Sequence, residues 1–428
     1  MLGSIVLSRG INLYAMAGKK KVYDVWKGLL DGSQVNTLDS RVLIEAVREK
    51  TAEDFKDSKE VYILHDPCDI RKPGAVGLEH IGKARSLSNK TVDGYKTFNS
   101  VAIDPTRQGV SLVGHTLYST GAPDYVGQGQ LGDVTLLPQP VQDMVSACNH
   151  VNTSVLYKKH IKEASETIKS RNPGASVCHI SDREFDCAAF FEAIAGQGDC
   201  FITRLKLSRL SGEEKDVLTP QGAPSKKKAY VKLIDKKFEN SSEYIIPILV
   251  LKGKKYEGIR CVLGWESFIL NKKKYNVVRI TLFSGAKPLF GHPMLLITNK
   301  EVACAEDAKT VYKGYLLRFK IEIVFKFLKQ NMGWETFRIR DFESIKNLLA
   351  IGFFLAGYFK ELEEELKKHP LTLFLCGLAR SKGKTTLFFI LEGLAKLAAF
   401  QEVKRWKEEN GLTDDDIDGL IKELNAQT

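Results

Sequence analysis

The chain lacks the spacings that hold a structural metal: it has eight cysteines and eight histidines, but no Cys-x-x-Cys pair and no His/Cys cluster at zinc distance. That excludes zinc-finger and zinc-ribbon modules. The cysteines, scattered at 68, 148, 178, 187, 200, 261, 304 and 376, are expected to be reduced thiols, several of them buried. Long apolar runs are missing too. The longest, residues 348–359 (LLAIGFFLAGYF), is too short to span a bilayer. With Arg9 near the N-terminus and no cleavable signal pattern, an intracellular protein is expected. No internal repeat and no low-complexity tract points to a solenoid or a disordered chain, and no grouping of histidines offers a general base.

What is present is ordinary globular material, 428 residues that are 43% hydrophobic and 27% charged, enough for two or three domains. The formal charge of +11 is unevenly placed, for residues 207–290 carry 17 Lys/Arg against 8 Asp/Glu. The cations cluster at Lys226-Lys227-Lys228, Lys236-Lys237, Lys254-Lys255 and Lys272-Lys273-Lys274, with Tyr230, Tyr256, Trp265 and Tyr275 between them. Such a surface neutralises phosphates and predicts salt-sensitive binding. The plainer alternative is a set of solvated hairpin turns.

Periodicity divides the chain further. Residues 1–58 read as a small helical module, with Asp39 or Ser40 as a cap. Residues 61–64 form a short apolar strand ending in His65-Asp66-Pro67. Strands at 97–103 and 110–117 flank a turn rich in Pro and Gly that holds Asp104. A long helix over 140–170 closes at Asn172-Pro173-Gly174, and a strand over 176–181 leads into Asp182. A helix at 185–195, a strand at 200–205 and a basic, β-rich stretch over 207–300 follow, with strands at 229–234, 244–251, 258–263, 275–283 and 294–298. From about residue 305 the chain is helical. Three antiparallel strands, a helix, a parallel strand and a late helix add up to an α/β, RNase H-like core. It is expected over 59–206 and 301–345, with a β-rich subdomain inserted at 207–300 and helical ends at 1–58 and 346–428.

One segment is electrostatically odd. Residues 315–329, YLLRFKIEIVFKFLK, read as one helix, apolar almost all round, on which Tyr315, Arg318, Glu322 and Lys329 fall within an arc of about 60°. A helix this apolar is expected to be buried, and a carboxylate buried between cations costs several kcal/mol unless paired or bound to metal. Asp66 and Asp182 at strand ends, with Glu322 on the helix, would converge at one sheet edge. Convergent carboxylates suit Mg²⁺ or Mn²⁺. Two such ions about 4 Å apart activate a water or a 3′-hydroxyl for in-line attack on a phosphodiester. Each acid also has a plainer reading, as a turn or cap residue for the aspartates and a structural ion pair for Glu322. Asp66 is preferred to Asp104 as the first acid, because an RNase H-like core carries that residue on its first strand.

Tyr315, Arg318, Glu322 and Lys329 match Y-x2-R-x3-E-x6-K, and on them the chain resembles bacterial insertion-sequence transposases of the IS4 family. Residues 179–206 are similar to that family's second-aspartate region, with Asp182-Arg183-Glu184 as its DRE and residues 201–204 as the next strand. Gly94-Tyr95 resembles a step in its opening. The likeness covers about residues 60–360.

The resemblance implies a DDE transposase with Asp66, Asp182 and Glu322 as catalytic metal ligands for two Mg²⁺ or Mn²⁺ ions. Tyr315, Arg318, Lys329, Arg204, Lys206 and Arg183 would contact DNA. It further implies a homodimer on terminal inverted repeats and target DNA, a cut-and-paste route through a hairpin, and a bacterial cytoplasmic, nucleoid-associated location. The leading module, short for a full end-recognition domain, would read the ends, and the C-terminal helices would dimerise. A DNA-binding relic without activity and another RNase H-like nuclease remain the alternatives.

Overall fold

Residues 60–71, EVYILHDPCDIR, form one strand, β1 (Glu60–Arg71), which runs well past the apolar run at 61–64. The computed structural model describes residues 20–31, 39–106, 109–127, 152–218, 224–251, 254–270, 273–330, 332–366, 370–381, 387–411, 413 and 415. After α1 (Lys20–Asp31) and α2 (Ser40–Asp54), β1 leads to β2 (Gly82–Arg85), β3 (Thr91–Ile103) and β4 (Ser111–Tyr118). Then come α3 (Thr153–Arg171), β5 (Ser176–Ser181), a single turn of 3₁₀ helix at Arg183–Phe185, α4 (Ala188–Gly196) and β6 (Cys200–Arg204). The basic region supplies β7 (Leu210–Leu218), β8 (Pro224–Lys232), β9 (Asn240–Leu251), β10 (Lys254–Leu270), β11 (Lys273–Ser284), β12 (Lys287–Pro288) and β13 (Met294–Thr298). The helices α5 (Ala305–Leu316), α6 (Phe319–Gln330), α7 (Phe342–Leu366), α8 (Leu371–Leu378) and α9 (Leu387–Glu409) complete the described chain.

Among the described residues, eleven strands join one mixed sheet. β1 runs antiparallel to β3, and β3 to β4, while β5 lies parallel to β1 and β6 parallel to β5. These directions and this order are those of an RNase H-like core. Most strands of the basic region extend the core sheet. β13 pairs antiparallel with β6 and carries β11, β10 and β9 outward, so the core sheet continues into them; β7 and β8 alone make a separate hairpin. The long helix expected over 140–170 starts at Thr153, where Asn152 caps it by accepting from the Ser154 amide, and residues 140–151 lie outside the described ones.

The chain divides into two compact units, one of Arg41–Val76 with His80–Phe325, the other of Met1–Ser40, Gly77–Glu79 and Lys326–Thr428. In the first, α3 and α4 cover one sheet face over an aromatic core. Phe98 stacks on Tyr157 at 4.1 Å, Tyr157 on Phe185 at 4.6 Å, and Phe191 on Phe201 at 4.7 Å. Each such ring, fully buried, contributes about 1.5–3 kcal/mol. A second cluster packs Phe55 among the small and branched residues Val61, Ile63, Ala102, Ile168 and Val177. In the other unit Asn347 is buried and donates to the Leu30 carbonyl at 2.8 Å, tying α7 to α1, while Leu375, Cys376 and Ile390 pack α8 on α9. The leading 58 residues are therefore split, with α1 in one unit and nearly all of α2 in the other.

All seven described cysteines are free thiols, four of them buried. No helix among the described residues is long and apolar enough to cross a membrane.

Candidate active site

Asp66 lies within β1 and not at its end. The expectation of a four-residue strand fails because β1 changes partners: its pairing with β5 stops at Leu64 opposite Ile180, whereas its pairing with β3 continues through Asp66 opposite Asn99 to Arg71. Asp66 thus stands just past the point where the parallel neighbour ends. Asp182 stands just past the end of that neighbour, the first residue after β5. It occupies the cap position of the 3₁₀ turn, yet its side chain makes no capping bond; its Oδ1 accepts from the Tyr315 hydroxyl at 3.3 Å. Both aspartates therefore emerge at the same end of the parallel pair β1–β5.

The striped segment is two helices. α5 ends at Leu316 and α6 starts at Phe319, and between them the bonding tightens to three-residue spacing, Arg318 N to Tyr315 O at 3.0 Å and Ile321 N to Arg318 O at 3.1 Å. Gly314 brings α5 down on the sheet, since a Cβ there would stand 3.0 Å from Ile202 and 3.4 Å from Tyr62. The expected burial also fails. Arg318 is only 6% exposed, whereas the Glu322 side chain is 51% exposed and its neighbours Phe319 and Ile323 also face outward. The buried charge is the cation. Its Nη1 donates to Asp66 Oδ2 at 3.5 Å, its Nη2 to Glu322 Oε1 at 2.7 Å, and its Nε is buried without a hydrogen-bond partner.

The acids act on one another through this arginine. Burial pushes the Asp66 carboxyl up to about 7 against the pull of Arg318, and Asp182, Glu322 and Glu184 push it further. Burial works against the Arg318 charge, but Tyr315, Asp66, Asp182 and Glu322 together hold the guanidinium protonated above its ordinary range. Burial raises the Tyr315 hydroxyl to about 12, and Asp182 adds to it while Arg318 and Arg204 oppose. In donor chemistry, three oxygen acids short of positive charge suit a hard divalent cation. In position they fit it incompletely: Glu322 is engaged by Arg318, and among the described residues no three His, Cys, Asp or Glu side chains are grouped to hold one ion.

Of the other expected residues, Arg183 and Lys206 are exposed and line a cleft of about 720 Å³ that opens beside Asp66 and Asp182. Lys329, which belongs to the second unit, pairs there with Glu335 at 3.3 Å. Asp104 is spent on its turn. Its Oδ1 accepts from the Thr106 amide at 2.8 Å and hydroxyl at 2.6 Å, and its Oδ2 from the Ser58 hydroxyl at 2.8 Å.

Sequence reasoning missed the histidines. His65 Nε2 and His179 Nδ1 lie 2.8 Å apart, His179 Nε2 meets Asp199 at 3.1 Å, and His65 Nδ1 meets Ser100, which in turn meets His160. Burial holds His65 and His160 well below their ordinary range, and the network bonds β1, β3, β5 and α3 to one another. The available signal was position: His65 and His179 precede Asp66 and Asp182 on adjacent strands.

No curated protein matches the chain. A family model does: residues 161–356, which include Asp182, Arg318 and Glu322 but not Asp66, match the transposase DDE domain, a match that supports a DDE transposase.

Proposed function

We propose that the protein is the transposase of a bacterial insertion sequence, of the IS4 family by its Y-R-E-K residues. It binds terminal inverted repeats and target DNA as a homodimer in the nucleoid-bearing cytoplasm, and cuts and joins DNA by a cut-and-paste route that passes through a hairpin. The observation that carries this reading is the emergence of Asp66 and Asp182 at one end of the parallel pair β1–β5, with Arg318 linking Asp66 to Glu322. Asp66, Asp182 and Glu322 would hold Mg²⁺ or Mn²⁺, which when bound supplies Lewis acidity at the scissile phosphate. Tyr315 orients Asp182, and Arg318 bridges Asp66 and Glu322. Arg204, Lys206, Arg183 and Lys329 would meet phosphates.

The test is cleavage of DNA carrying the ends of the element, with Mg²⁺, by the wild type and by Asp66→Asn, Asp182→Asn and Glu322→Gln. Loss of cutting in all three with DNA binding kept supports the reading; cutting that survives in any of them overturns the assignment of that acid. A second reading, a DNA-binding relic, is favoured by the pairing of Glu322 with Arg318 instead of with the aspartates. It predicts binding without cutting in the wild type.

A further inference from the structure

We infer that Asp186 is a positioning residue: it fixes the backbone of Lys206 so that the lysine's ammonium meets a DNA phosphate at the cleft beside Asp182. The inference rests on the DNA-cutting reading of that cleft and adds a residue to it. Asp182 and Lys206 leave the same end of two neighbouring parallel strands, one residue past β5 and two past β6. The last register pair of those strands, Ser181 and Thr203, shares a hydroxyl hydrogen bond at 2.8 Å. Beyond it the ladder no longer holds the chain, and Asp186 takes over. Its amide donates to the Arg183 carbonyl at 3.2 Å, which closes the turn after Asp182, and its side chain is wholly buried. Oδ2 accepts from the Lys206 amide at 2.8 Å and from Arg209 Nε at 3.2 Å. Oδ1 accepts from Arg209 Nη2, which also donates to the Asp186 carbonyl at 3.0 Å. The Arg209 amide donates to the Lys206 carbonyl at 3.0 Å and closes the second turn. A guanidinium held at two nitrogens has one orientation, so these bonds clasp the two turns to one another. A full set of partners also offsets the cost of burying the carboxylate. The Lys206 side chain takes no part in the clasp. It is exposed, lines the cleft with Asp182 and Arg183, and forms no ion pair among the described residues. Lysine is a point charge on a flexible stem, and anchoring its backbone reduces the freedom it loses when it binds a phosphate.

The experiment is a double-mutant cycle of Asp186→Ala and Lys206→Ala in the full chain, read by fluorescence anisotropy of a labelled duplex carrying an end of the element, with Ca²⁺ in place of Mg²⁺. Lys206→Ala should weaken binding about tenfold and lower the slope of log affinity against log salt by about 0.9, the loss of one phosphate contact. Asp186→Ala should do the same, and the double variant should bind no more weakly than either single one. Asp186→Asn keeps an oxygen for the Lys206 amide but not the charge that pairs with Arg209. It should therefore restore most of the affinity while its urea midpoint stays below that of the wild type, a split that a merely structural role would not produce. Losses that multiply to about a hundredfold in the double variant overturn the inference, because Asp186 then acts independently of Lys206. So does an Asp186→Ala protein that is less stable but binds DNA like the wild type. Should Asp186→Ala not fold, Arg209→Gln, which opens the clasp at a part-exposed position, carries the cycle with the same coupling to Lys206 expected and the same multiplied loss against it. If the wild type binds and cuts DNA and Lys206→Ala changes nothing, the positioning role fails alone; if the wild type binds no DNA, the DNA-cutting reading fails with it.

Discussion

Arg318 spans Asp66 and Glu322, with one guanidinium nitrogen 3.5 Å from the strand acid and the other 2.7 Å from the helix acid. Its side chain is the least exposed of the three, 8% against 19% for Asp66 and 51% for Glu322.

Removing that guanidinium should therefore cost stability as well as activity. Arg318→Ala leaves Asp66 and Asp182 near one another without their cation, a loss expected to be about 1–3 kcal/mol, below the range for fully buried pairs because Glu322 is half in solvent. Arg318→Lys keeps the charge but cannot reach both acids, so folding should be largely restored and cutting should not. Urea unfolding beside a cleavage assay separates the two. Equal rescue of both by lysine would mean that the charge alone matters.

Asp104 should behave in the opposite sense to Asp66. Asp104→Ala removes the acceptor of three hydrogen bonds, from two donors of Thr106 and from Ser58, and should destabilise by about 2–4 kcal/mol. At a temperature where the variant is folded, its cleavage rate per folded molecule should match the wild type. A folded Asp104→Ala protein that does not cut would move the first acid from β1 to the β3–β4 turn.

Acid should unfold the first unit through its histidines. Burial holds His115 at about 3 and His160 well below its ordinary range, so both are neutral when folded, while the unfolded chain takes up protons near pH 6.5. The unfolded state thus binds more protons below that pH. The stabilisation is complete above pH about 6.5 and is lost as the pH falls toward the folded values, at about 1.4 kcal/mol per pH unit for each histidine. Denaturant midpoints measured from pH 7.5 down to 5.5 should fall accordingly. A flat profile would show that these rings are hydrated in solution.

Gly94 should not tolerate a side chain. A Cβ there would stand 2.3 Å from the Ile70 carbonyl and 2.9 Å from the Ala84 Cβ, where β3 passes between β1 and β2. Gly94→Ala should cost about 1–3 kcal/mol by forcing the strands apart. Thermal melts measure it, and an unchanged midpoint would mean that this edge of the sheet yields easily.

Much of the fold was legible because its signals are local. The strand at 176–181 and the one at 294–298 show in sequence as short runs of apolar and small residues, and β5 and β13 have those bounds. The turn at Asp104 follows from its Pro and Gly. The end of β1 was not legible, because Asp66-Pro67 reads as a strand stop, whereas continued pairing with β3 carries the strand through it. The joining of β13 to β6 was equally hidden, since alternation shows that a strand exists and not which strand it meets.

By itself, the sequence determined the elements, the spacing of Tyr315, Arg318, Glu322 and Lys329, and the placement of Asp66 and Asp182 on or beside strands, because each depends on neighbours within a few residues. Only the tertiary structure decided which of those charges is buried. A helical stripe specifies a face, but what packs on that face comes from distant strands: Arg318 is buried against Asp66, while Glu322 stands half in solvent. The same dependence on distant partners gathered His65, His179, Asp199, Ser100 and His160 into one buried network from positions that look unrelated along the chain.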